Sequence, residues 1–140
     1  MRKINVSRQA LAVTFALVFI SLPAFAHHSF SSEFDLNHPI NMTGTITKVD
    51  WINPHCYMEM DVKDQATGKV EHWNFEFGAP VGLRRAGMRQ DMLQIGQPMT
   101  VVGYAAKDHT NLGWISKFVF PDGRVIHVTG DAKDAPPEAK

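Results

Sequence analysis

Ligand chemistry in this chain of 140 residues gathers at two places: the adjacent histidines His27 and His28, and the stretch Trp51-Ile52-Asn53-Pro54-His55-Cys56-Tyr57-Met58-Glu59-Met60. An N-terminal histidine offers one metal ion both its α-amino nitrogen and a ring nitrogen. A second histidine from the body of the fold completes a nitrogen set suited to copper or zinc. His27 becomes such a residue if the chain is cut after Ala26, with His28 as a further donor and His55 as the donor from the fold. The competing role for His55 is structural, since a ring in an Asn-Pro-His turn can donate to a backbone carbonyl instead.

The cut is expected from residues 1–26. Arg2, Lys3 and Arg8 make a basic start, Ala10 to Leu22 is apolar except for Thr14 and Ser21, and Ala24-Phe25-Ala26 fits the small-x-small rule of signal peptidase. The run is shorter than the ~20 apolar residues of a membrane span. We therefore read a secretory signal, a periplasmic or secreted mature protein, and no stable span after cleavage. The 114 residues that remain (140 less 26) make one small domain. The whole chain balances 14 basic against 14 acidic residues, and the signal takes three of the basic ones, leaving 11 against 14. Nucleic acid is excluded as a partner, because binding it rests on phosphate neutralisation by Lys and Arg; no protein partner can be named.

Period-two alternation sets out the strands that must hold these side chains. Met42 to Trp51 reads as a first strand with a bulge or bend at Gly44. In the second, Cys56, Met58, Met60 and Val62 face inward and Tyr57, Glu59 and Asp61 outward. In the third, Val70 to Phe77, the aromatics Trp73, Phe75 and Phe77 face inward and His72, Asn74 and Glu76 outward. Met99 to Ala105 and Trp114 to Phe120 supply the fourth and fifth, and Arg124 to Thr129 pairs back across Pro121-Asp122-Gly123. Val81 to Leu93 is one short helix or two turns. Residues 27–41 read as an extended arm pinned by Phe30 and Phe34, 42–130 as the domain, and 131–140 as a disordered tail. The fold class is mainly β: a small OB-fold-like barrel of five to six strands with one short helix between strands 3 and 4.

The alternation also divides the chemistry. Cys56 points away from His55, and a lone cysteine has no internal disulfide partner, so it is read as a buried thiol. Met58 and Met60 would be soft Cu(I) ligands, but on an inward face they are core filler. Outside, Trp51, Tyr57, Glu59, His72, Glu76 and Arg84 form the wall of an alternative site for a small molecule, peptide or glycan. Arg84 and Arg85 are anion-binding candidates whose ordinary alternative is an ion pair with Asp91 or Glu76. No catalytic triad order, phosphate loop, HExxH or CxxC occurs, so a binding module is favoured over an enzyme and no catalytic residue is assigned.

The chain resembles a family of small exported bacterial proteins that carry an uncharacterised domain. The resemblance lies in Ala26-His27-His28-Ser29-Phe30, Thr43-Gly44-Thr45-Ile46-Thr47-Lys48-Val49, Trp51-Ile52-Asn53-Pro54-His55, Trp73-Asn74-Phe75-Glu76, Leu83-Arg84-Arg85 and Pro121-Asp122-Gly123-Arg124. It implies an exported β-rich domain and no particular activity. Two positions depart from the family pattern: Met88, where tryptophan often follows the glycine, and His109, where glycine often follows Lys-Asp.

Overall fold

The computed structural model describes residues 30–128; the expected signal over 1–26, the pair His27 and His28, and the tail over 131–140 lie outside the described residues. A turn of helix, α1 (Phe30–Glu33), leads into β1 (Phe34–Asp50), followed by β2 (Cys56–Lys63), β3 (Val70–Phe77), α2 (Pro80–Arg85), a 3-10 turn (Gln90–Met92), β4 (Pro98–Ala106), β5 (Leu112–Val119) and β6 (Val125–His127). The mainly β class, with a short helix between the third and fourth strands, is the class the alternation gave. The helical stretch expected over Val81 to Leu93 is two separate turns. Pro80 starts the first, where its missing N–H costs nothing, and Met88 N–H closes back on Leu83 O at 2.9 Å.

One six-stranded sheet runs in the order β3-β2-β1-β4-β5-β6, and a parallel pairing of β3 with β5 brings it round on itself. Inside this ring sit Ile46, Cys56, Met58, Met60, Phe75, Phe77, Met99, Val101, Ile115 and Phe118, capped by Leu83, Met88 and Leu93 from the turns between β3 and β4. The arm expected over 27–41 is, from Phe30 onward, α1 and the first half of β1. That half pairs with β4 from Pro39↔Tyr104 to Thr45↔Pro98. It looked like an arm because Asp35, Asn37, His38 and Pro39 are turn-forming types, and only Phe34 among the first residues of β1 is fully buried.

Two bulges set the phase of the ring. In β1, Ile46 pairs with Met60 and Lys48 with Glu59, so Thr47 is the extra residue, and both Ile46 and Val49 reach the core although they lie three apart. The bulge expected at Gly44 is therefore three residues further on. Gly44 serves a close approach instead, since a Cβ there would stand 2.6 Å from Asp61 O. In β5, Val102 pairs with Lys117 and Gly103 with Ile115, which makes Ser116 the extra residue. Ile115 and Phe118 both face inward as a result, while Trp114 faces out.

On that outer side Trp114 joins Phe34, Val102, Tyr104 and Ala106 in a second, smaller cluster, with Phe30 packed against it. Phe30 and Phe34 do pin the segment down. The Phe30 ring lies 5.3 Å from Phe34, 5.9 Å from Tyr104 and 5.5 Å from Trp114. His109 has φ 60°, the left-handed region. That left-handed conformation costs an L-residue roughly 1–2 kcal/mol, so glycine would relieve strain at this position.

Candidate functional site

Ring closure builds the site. The β2–β3 register places Tyr57 opposite Glu76, and the parallel β3–β5 rung places Glu76 opposite Trp114. Three strands thus deliver a phenol, a carboxylate and an indole to one row on the outer face. His55, one residue before β2, lies at the end of that row. Its Nδ1 is paired with Glu76 Oε1, and its ring stands edge-on to Trp114 at 5.3 Å and 90°. Two faces of the imidazole are thereby fixed, by a hydrogen bond and by an aromatic wall. Nε2 has no partner among the described residues.

Glu76 is the one buried charged residue in the described part, 8 % exposed. Burial pushes its carboxyl above the ordinary carboxylate range, the charge of His55 pulls it back, and Glu33 at the end of α1 pushes it up again. Tyr57 is raised as well, first by burial and then by Glu76 and Glu33. Glu33 thus acts on both Glu76 and Tyr57, and Glu76 acts on Tyr57, so negative charge gathers on the side of the row where His55 meets Glu76, an arrangement that favours a cation. Trp114 Nε1 is buried beside them with no hydrogen-bond partner among the described residues.

The other expected site residues separate into groups. Trp51 packs against the ring's core and serves it as wall. Arg84 lies on α2 close enough to Cys56 for its charge to act on the thiol, and neither Arg84 nor Arg85 is in an ion pair among the described residues. The pairs considered for them go elsewhere, because Asp91 is held by Arg89 at 3.0 Å and Glu76 by His55. Cys56 is fully buried, with its thiol pushed up to about 11 chiefly by burial, so it is inert as a nucleophile or ligand.

His72 and Glu59 meet across β2 and β3 as the alternation suggested, but they saturate each other. His72 Nδ1 lies 2.9 Å from Asp61 Oδ1 and Nε2 lies 3.2 Å from Glu59 Oε2, while Lys48 holds Glu59 at 3.2 Å and Asp50 at 2.7 Å. Both ring nitrogens donate only in the imidazolium form. The bond to Asp61 accordingly raises the His72 pKa, with Glu59 adding to it. A histidine raised in the fold contributes stability that is fully present below its ordinary 6.5 and is lost as pH rises through the folded value. Asp61→Asn is expected to move the His72 titration to lower pH, read by the chemical shift of its ring protons; an unchanged midpoint would remove Asp61 as the cause.

No group of three or more His, Cys, Asp or Glu able to hold a metal occurs among the described residues, and no helix among them is long and apolar enough to cross a membrane. Trp114 and Glu33 were missed by sequence reasoning. The parallel rung that brings Trp114 to Glu76 has no local signature. Glu33 was overlooked because its segment read as an arm.

A family model described as a family of unknown function (DUF6152) matches residues 15–115, well over half of the chain. No curated protein and no solved structure matches.

Proposed function

We propose that this chain, which belongs to that family of unknown function, is an exported, periplasmic module that binds copper or zinc as a divalent ion, with His55 Nε2 as the donor from the fold and the His27 amine and ring, aided by His28, as the rest of the set. The observation that carries this reading is the fixing of His55 by Glu76 and Trp114 with Nε2 left open. A metal-ligating histidine typically gives its other ring nitrogen to a carboxylate, which sets the tautomer and aims the ligating nitrogen. His72, with both nitrogens engaged, lacks that feature.

A divalent copper or zinc ion takes three or four protein donors, and the described residues offer fewer at His55. Chain length allows the missing ones to come from the expected mature N-terminus. The Trp114 ring lies 5.3 Å from the His55 ring and 5.5 Å from the Phe30 ring. Three residues of extended chain before Phe30 span up to ~11 Å, a length comparable with the separation of the Phe30 and His55 rings across Trp114.

Two versions of the protein test the reading: one beginning at His27 and one with a single glycine added before it. The added residue moves the amine out of the chelate ring, and Cu(II) affinity by calorimetry is expected to fall about 10²-fold. Equal affinity would remove the N-terminal amine from the site. No binding by either would leave the outer face of β2 and β3 as a metal-free binding surface.

A further inference from the structure

Residues 80–97 close one end of the ring, and their outer surface differs in charge from the rest of the molecule. Leu83, Met88 and Leu93 turn into the core, leaving basic and aliphatic side chains outside. This cap carries Arg84, Arg85 and Arg89 against Asp91 alone, whereas the other described residues carry six basic side chains against ten acidic ones. Arg89 is spent on Asp91 at 3.0 Å, so the surplus is the exposed pair Arg84 and Arg85. Strand directions bring the end of β1, the start of β2, the end of β3 and the end of β5 to the same side as the cap. The carboxylates there are already engaged: Asp50 by Lys48, Glu76 by His55 and Asp122 by Arg124. None is left to neutralise the two arginines. Beside them stand aliphatic side chains in water. Ile95 is 73 % exposed on a turn held by the Gly96 N–H to Ile46 O bond, and Val81 is 49 % exposed on α2. Ile52 is 52 % exposed in the β1–β2 connection; its carbonyl faces the Cys56 thiol, on which the charge of Arg84 acts, so it borders α2. Singly such residues are ordinary, but here they surround the surplus arginines at one end.

We propose that the capped end docks, without crossing, on a lipid surface bearing anionic headgroups. Arg84 and Arg85 pair with headgroup phosphates, and Ile95, Val81 and Ile52 enter the boundary between headgroups and acyl chains. The acidic remainder of the molecule is repelled by the same surface, which fixes the orientation with the cap toward the lipid. A small soluble anion would engage the arginines and leave the three aliphatic side chains in water. This surface is independent of the metal reading of His55.

Co-sedimentation with vesicles tests it, using the chain beginning at His27 with a metal chelator present. Vesicles of phosphatidylcholine mixed with phosphatidylglycerol are expected to bind the protein, less so as salt rises, and phosphatidylcholine alone to bind it weakly. Replacing Arg84 and Arg85 together by glutamine should weaken binding about 25-fold, about 5-fold for each charge. Ile95→Ser should weaken it about 10-fold. The same loss of charge at the far end of the ring, Lys63→Gln with Lys69→Gln on the β2–β3 hairpin, should leave binding unchanged. No binding to the mixed vesicles, or an equal loss with the lysine pair, would overturn the proposal. So would an arginine effect without an Ile95 effect together with displacement by soluble polyglutamate, which would make the cap a surface for an acidic protein.

Discussion

On the proposed metal site, replacing His55 by alanine in a chain beginning at His27 is expected to lower Cu(II) and Zn(II) affinity by about 10²-fold or more, because it removes the donor from the fold that the N-terminal ones would join. Replacing His72 in the same way is expected to leave the affinity unchanged. The two histidines lie on the same side of the sheet and differ in their partners: His72 spends both nitrogens on Asp61 and Glu59, and His55 spends one on Glu76. Competition against a chelator of known affinity reads both variants on one scale. A loss with His72→Ala equal to that with His55→Ala would point to nonspecific surface histidines, and no loss with either would leave His55 with its structural role alone.

Glu76→Gln refines the same experiment. The amide still accepts from His55 Nδ1 but carries no charge, so the metal affinity is expected to fall about 10-fold, at the lower end of what outer-shell partners contribute. Stability gives an independent check that the variant is folded. The Glu76 carboxyl is raised above its ordinary 4.5, mainly by burial, so the native state holds the proton longer than the unfolded chain does. Wild-type stability therefore declines as pH rises from that ordinary value through the raised one, and the glutamine variant lacks this part of the decline.

Much of the ring was legible because its strands are amphipathic with period two. Val70 to Phe77 and the start of β2 at Cys56 fall where alternation put them, and the separation of His55 from Cys56 follows from the same period. The bulges left a readable trace that was misplaced. A steady phase through Met42, Gly44 and Ile46 gives way to Val49 and Trp51, and the shift lies at Thr47, although glycine at 44 looked like its natural seat. The site was only half legible. Glu76 and Tyr57 are opposed by a local hairpin, which alternation predicts, whereas Trp114 arrives through a parallel rung between strands almost forty residues apart in the chain. Pairing of that kind is decided by closure of the whole sheet, to which every strand length and bulge contributes, and no stretch of sequence encodes it alone.

That dependence makes Gly103 the residue on which fold and site both rest. The Ser116 bulge presses the Trp114 carbonyl against β4, and a Cβ at Gly103 would stand 1.7 Å from Trp114 O and 2.8 Å from its carbonyl carbon. The obstruction is backbone, so no rotamer change relieves it; β5 must move away or the bulge must dissolve. If it dissolves, strict alternation can no longer hold both Ile115 and Phe118 inside with Trp114 outside. Gly103→Ala is therefore expected to cost about 4 kcal/mol or more, at the far end of single-substitution effects. The urea midpoint should drop by roughly 2 M, since slopes for small domains are about 1–3 kcal/mol per molar. Gly82→Ala is the matched control: it lies within α2 with nothing within 4 Å of an added Cβ, and it should stabilise by about 0.5–1 kcal/mol. Whatever fraction of Gly103→Ala remains folded is expected to show weakened metal binding as well, because displacing Trp114 removes the wall that holds His55. Full stability with intact binding would show that β4 and β5 do not pack this closely, and that Trp114 is not what positions the imidazole.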